Sequence, residues 1–215
     1  SEAALKLGYS VELLRYFTKH CPKQGESRLL PSKAMDKVIY YDESELREYH
    51  SYLNRPWPKP EDKARPSLPN KIKEDVKQEC HHCCAICGNM NHGEVAHIIP
   101  VSQTMNNAPD NLILLCPNHH TEYDYGYRIS TNVKLDTVLA AKRIKRDSRQ
   151  RILRFEANAS KLFSTLIQML KTLEGNLKGL KDDKDLIAVY TTELRSLANT
   201  IPDAAKQAKS LASKD

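Results

Sequence analysis

Two short knuckles carry the most specific chemistry in this sequence. Cys84 and Cys87 are separated by two residues and followed by Gly88, and Cys116 and His119 repeat that spacing further along. A two-residue gap lets both side chains of a knuckle face one ion, and three thiolates with one imidazole suit tetrahedral zinc. All four positions are then filled by protein, so the expected ion is structural. In a small unit it supplies much of the folding free energy. Cys80 and Cys83 form a competing, overlapping pair. The pair Cys84/Cys87 is favoured because Gly88 follows at the turn and because a helix leading into the knuckle should still contain Cys80. The six cysteines are Cys21, Cys80, Cys83, Cys84, Cys87 and Cys116. Four of them crowd into residues 80–87, close to histidines, which favours metal over disulfides in an intracellular chain.

Between the knuckles lie Glu94-Val-Ala-His-Ile-Ile-Pro100 and Asp110-Asn-Leu-Ile-Leu-Leu-Cys116, and the second knuckle ends in the pair His119-His120. This ordered set resembles the HNH endonuclease family with its ββα-metal fold, over roughly residues 80–130. The resemblance implies hydrolysis of DNA phosphodiester bonds. His97 would be the general base, since a neutral imidazole takes a proton from water near physiological pH. Asn111 would hold the loop and orient that imidazole. His120 would bind a catalytic Mg²⁺ or Mn²⁺ ion, which stabilises the scissile phosphate and the leaving 3′ oxygen. His81, His82 and His92 are read as exposed or connecting residues.

One position departs from the family pattern. The residue before the base is commonly an acidic or histidine metal ligand, and here it is Ala96. Two carboxylates are candidates to replace it. Asp124 follows His120 at i+4, on the same face of a helix. Glu94 precedes Ala96 by two, on the same face of a strand.

The elements that must position these residues can be read outward from them. The expected fold is mainly α with a small α+β centre. Residues 1–54 form an expected first module. Helices at Glu2–Leu7 and Val11–Lys19 are joined at Gly8, with Ser10 as N-cap. Two short strands follow, at Arg28–Leu30 and Val38–Tyr41, and then a helix capped by Asp42 with Glu45. The string from Ser1 to Phe17 resembles the helix-turn-helix of excisionase-like and MerR-like DNA-binding modules, which would put the second helix in a DNA groove. Residues 55–70 belong to a stretch with five prolines and read as an extended linker, with Trp57 docked on a neighbour. Residues 71–131 form the zinc-bound unit, entered by a helix over Ile72–Cys83.

Residues 132–215 turn helical from about Leu135. From Arg128 to Arg154 nine basic residues face two acidic ones, and Lys142, Arg143, Lys145, Arg146 and Arg149 are the expected contacts to DNA phosphates. Beyond them, Phe155 to Leu173 and Ile187 to Ile201 carry apolar residues at alternating spacings of three and four. This predicts a helical hairpin or coiled coil for homodimerisation or partner binding.

The 215 residues carry a formal net charge of +6, a mild pointer to a polyanionic partner. No stretch is apolar enough to span a membrane, and the N-terminal residues lack a leader pattern, so a cytoplasmic protein is expected. The leading function is a metal-dependent endonuclease, with restriction, phage defence or mobile elements as settings by analogy. The alternative is a zinc-stabilised DNA-binding regulator with an inactive centre, for which Ala96 speaks. A third reading, an adaptor built on the coiled coil, requires no DNA binding.

Overall fold

The computed structural model describes residues 2–23, 28–35, 38–61, 65–90, 92–125 and 133–179, with Ala188, Val189, Thr192, Glu193 and Ser196 beyond them. The chain divides into two compact units, Ser1–Arg154 and Phe155–Asp215.

In the first unit, α1 (Glu2–Leu7) ends at Gly8, whose φ of +70° favours glycine. Ser10 caps α2 (Val11–Lys19), its hydroxyl accepting from the Leu13 N–H at 3.1 Å. Strands β1 (Lys33–Met35) and β2 (Val38–Tyr40) pair antiparallel, Ala34 opposite Ile39. The strand expected at Arg28–Leu30 does not form. Leu29 is fully buried, and its N–H donates to the Phe17 carbonyl, so the segment anchors on α2 instead of pairing. Helix α3 (Glu43–Asn54) starts at Asp42 as expected, but the Asp42 side chain makes no capping bond.

The expected separation into a DNA-binding module, a linker and a zinc unit does not follow the packing. One core joins Leu13, Leu14 and Phe17 of α2, Tyr49 and Leu53 of α3, Trp57, and Ile72 and Val76 of α4 (Asn70–Glu79). The expected helix-turn-helix is thus reduced to a helical pair embedded in this core. Trp57 is almost fully buried. Its indole N–H donates to the Leu53 carbonyl at 2.9 Å and its backbone N–H to the Met105 carbonyl at 3.1 Å. Trp57 therefore anchors its part of the proline-rich segment on the core.

The centre consists of β3 (Glu94–His97), the short helix α5 (Val101–Thr104), a 3-10 turn at Pro109–Asn111, β4 (Leu112–Leu115) and α6 (Pro117–Tyr125). Strands β3 and β4 pair antiparallel, with His97 opposite Leu112 and Ala96 opposite Ile113. All four residues of β4 are buried, which fits their continuous apolar run. Gly93 precedes β3 because a Cβ there would come within 2.9 Å of the Leu114 side chain.

Helix α7 runs from Leu135 to Gly179. Its first part is fastened to α4 and the 3-10 turn by ion pairs. Arg149 grips Asp75 through two bonds of 2.6 and 2.8 Å, and Lys142 bonds Glu79 at 2.6 Å and the Pro109 carbonyl at 3.0 Å. In the second unit, α7 exposes Phe155, Leu162, Phe163, Ile167 and Leu170. The second helical arm expected over Ile187–Ile201 lies almost wholly outside the described residues.

Candidate active site and metal centre

The four residues of the two knuckles come together as their spacing implied. One ligand atom each from Cys84, Cys87, Cys116 and His119 lies within 4.8 Å of the others. The Nδ1 of His119 is 3.5 Å from the Cys84 Sγ and 3.1 Å from the Cys116 Sγ, and the Cys87 and Cys116 sulfurs are 4.0 Å apart. Zinc–sulfur bonds of about 2.3 Å and zinc–nitrogen bonds of about 2.0 Å span such a cluster, so the donor set fits zinc. Gly88, at φ +72°, makes the turn after Cys87.

Burial pushes the Cys84 thiol up, but backbone N–H groups of Cys87, Cys116 and Ile86 outweigh it and bring the pKa down to about 6. The N–H of Asn89 works in the same direction on Cys87. Burial and the neighbouring Cys84 thiolate outweigh it and raise the Cys87 thiol. Two thiolates side by side repel, and a divalent cation removes that repulsion.

The competing Cys80/Cys83 pair is set aside by the course of α4. The helix ends at Glu79, earlier than the expected Cys83, and the chain turns through His81 and His82 at φ +55° and +56°. Cys80 stays in the core, where burial raises its thiol, and the Cys83 thiol bonds the His81 carbonyl. His81, His82 and His92 are exposed.

His97 ends β3, half-buried. Burial pushes its pKa below the ordinary histidine value; the bond to Asn107 opposes this and the positive charge of Arg65 adds to it. Its Nε2 lies 2.7 Å from the Asn107 Oδ1. Asn111 does not touch the ring. Its Oδ1 accepts from the Ile99 N–H at 2.8 Å, and its Nδ2 donates to the carbonyls of Ile99 and Asn106 at 3.0 and 2.9 Å. The hydrogen bonds of Asn111 thus run to the backbone of the loop, and the bond to the imidazole comes from Asn107. Sequence reading missed Asn107 because nothing in its spacing marks it.

His120, on the first turn of α6, lies between the two candidate carboxylates. Its Nδ1 is 2.7 Å from the Glu94 Oε2, and its Nε2 is 3.3 Å from the Asp124 Oδ2. Ala96, at the position where the family pattern commonly has a metal ligand, is 1% exposed and packs in the core around β3 and β4.

These residues open on one cleft of about 1150 Å³, lined by Glu94, His97, His120 and Asp124 together with Arg65, Lys73 and Lys77. The three cations make no ion pair among the described residues. They were not singled out in the sequence, whereas the basic stretch that was is largely spent on structure. Lys142 and Arg149 are buried in the ion pairs to Glu79 and Asp75, and Arg146 bonds Asp110 and the Leu7 carbonyl. The charges of these three expected phosphate contacts are each balanced by a carboxylate of the fold. Arg143 is exposed and Lys145 half-buried.

Fold and site together define a ββα module with a Cys/His cluster that could bind zinc and two histidines on a common cleft. Residues 84–128 match the sequence model of the HNH endonuclease family. No curated protein and no solved structure matches the chain.

Proposed function

We propose that this protein is a metal-dependent endonuclease that hydrolyses DNA phosphodiester bonds. The observation that carries the reading is the opening of His97 and of the His120–Glu94–Asp124 cluster on one cleft, inside the segment that matches the nuclease family. His97 is the general base that takes the proton from the attacking water, and its lowered pKa keeps it neutral for that task. Asn111 fixes the loop that follows β3. His120 holds the catalytic ion with a carboxylate, Asp124 or Glu94. The 3.3 Å between the His120 Nε2 and the Asp124 Oδ2 is a separation that two ligands of one ion adopt at bond lengths of about 2.1 Å. Bound Mg²⁺ or Mn²⁺ would supply charge stabilisation at the phosphate and the leaving oxygen.

The exposed Arg143 and the half-buried Lys145 remain candidate DNA contacts, and the apolar residues exposed on α7 support docking of a second copy or a partner subunit. By analogy alone we assign the activity to the cytoplasm and to restriction, phage defence or mobile elements. The rival reading, a zinc-stabilised DNA-binding regulator with an inert centre, draws on Ala96.

The experiment that decides is incubation of supercoiled plasmid with protein and Mg²⁺ or Mn²⁺, beside His97→Ala and a chelator control, with zinc measured on each sample. Nicking or linearisation by the wild type only, with zinc retained in the variant, supports the nuclease. Zinc-loaded wild type that binds DNA but cleaves under no condition would favour the regulator.

A further inference from the structure

Asn107 is 1% exposed and has its amide fixed at both ends. Its Nδ2 donates to the carbonyl oxygens of Pro66 at 3.1 Å and Ser67 at 3.3 Å. Those oxygens can only accept, so the amide nitrogen must face them and Oδ1 must face the His97 ring. Oδ1 cannot donate either. The ring nitrogen 2.7 Å away, Nε2, therefore carries the proton of the neutral imidazole.

We infer that Asn107 is a positioning residue that locks His97 in the Nε2–H tautomer and leaves Nδ1 as the nitrogen that takes the proton from water. The role in catalysis rests on the nuclease reading above; the tautomer does not. In the reaction the water oxygen bonds to phosphorus, its proton passes to Nδ1, and the phosphorus–O3′ bond breaks, with solvent protonating the leaving oxygen. The Nε2–H bond to Asn107 meanwhile steadies the imidazolium that forms.

The arrangement also gives the proline-rich segment a task. Its carbonyls at residues 66 and 67 orient Asn107, far away in sequence. The bend that carries Asn107 is itself fixed, because the Ala108 N–H donates to the Asn106 Oδ1 at 2.7 Å and Asn111 holds the Asn106 carbonyl. A buried residue that sets the tautomer of a base through one hydrogen bond does so at low cost, since the geometry is already fixed by folding.

The test uses the full chain with ¹⁵N-labelled histidine, read by NMR at a pH where the ring is neutral, with His97 assigned by its absence in His97→Gln. The wild type should show a protonated, exchange-protected Nε2. Asn107→Leu, of similar size but without an acceptor, should lose that protection and lower kcat about 100-fold with KM unchanged. Asn107→Asp keeps an acceptor for the Nε2–H but turns its second oxygen on the Pro66 and Ser67 carbonyls, so it should keep the protected proton while lowering the melting temperature. Zinc content and melting temperature check the fold of each variant. An unprotonated Nε2 in the wild type overturns the proposal, and so does a folded Asn107→Leu with unaltered spectrum and kcat. If Asn107→Leu fails to fold, the wild-type spectrum still decides. A wild type with the protected Nε2–H but no cleavage activity sinks the nuclease reading, and with it the catalytic role of Asn107, while leaving the tautomer established.

Discussion

The Oε2 of Glu94 lies 2.7 Å from the Nδ1 of His120, which ties the first residue of β3 to the first turn of α6. The other ring nitrogen faces Asp124 at the longer distance of 3.3 Å. A ring nitrogen that binds an ion cannot also donate to a carboxylate. The shorter contact suits an outer partner that orients the ring, and the longer one suits a shared ion.

The two carboxylates are accordingly expected to differ. Asp124→Ala should weaken Mn²⁺ binding, followed by titration of the ion's magnetic resonance signal, more than Glu94→Gln does. Loss of an orienting partner costs about 10- to 100-fold in affinity. The reverse order would move the ligand role to Glu94.

The cations of the cleft should govern DNA affinity. Removing a cation that neutralises one phosphate lowers the slope of log affinity against log salt by about 0.9. The combined change of Arg65, Lys73 and Lys77 to glutamine should flatten that slope by about 2 to 3, read by fluorescence anisotropy without the catalytic ion. A larger effect from Arg143→Gln with Lys145→Gln would return the DNA path to α7.

Asp75 and Arg149 are 2% and 7% exposed, and each is the other's neutralising partner. Asp75→Asn should leave the buried guanidinium with Glu79 as its remaining countercharge, 4.0 Å away and already bonded to Lys142, and destabilise the fold by about 3–5 kcal/mol, measured by urea denaturation. Asp75 also accepts from the Ser10 N–H, so the change loosens the start of α2 as well.

Zinc should depend on Cys84 and not on Cys80. Cys84→Ser is expected to lose the metal and the cooperative melting of the ββα unit. Cys80→Ser should keep the metal, because that thiol is held in the core behind the turn at His81 and His82. Equal loss in both variants would show that the ion is shared differently.

The acid limb of the cleavage profile follows from His97. A base works in its neutral form, and burial pushes the pKa of this imidazole below the ordinary value of about 6.5. Protonation therefore sets in at lower pH, and activity should persist below about 6.5 before it falls. A limb centred above that value would rule out the buried His97 as the titrating base.

The local periodicities made α1, α2, β2 and α3 legible, because an amphipathic helix or a cap is written within a few neighbouring residues. The four zinc ligands were legible for the same reason, since a knuckle is a local geometry. The strand at Lys33–Met35 was missed in favour of Arg28–Leu30, because Leu29 is claimed by a distant core that no local pattern announces.

By itself the sequence determined which residues can do chemistry here: Cys84, Cys87, Cys116 and His119 for a metal, His97 and His120 for a reaction. Only the tertiary structure decided who supports them. Basic residues in a row look alike in sequence, yet carboxylates on α4 and the 3-10 turn neutralise Lys142, Arg146 and Arg149, while Arg65, Lys73 and Lys77 are left facing the cleft. Asn107 reached His97, and Asn111 the loop, for the same physical reason. A hydrogen bond is set by where two atoms lie in space, and chain packing brings together atoms that sequence distance keeps apart.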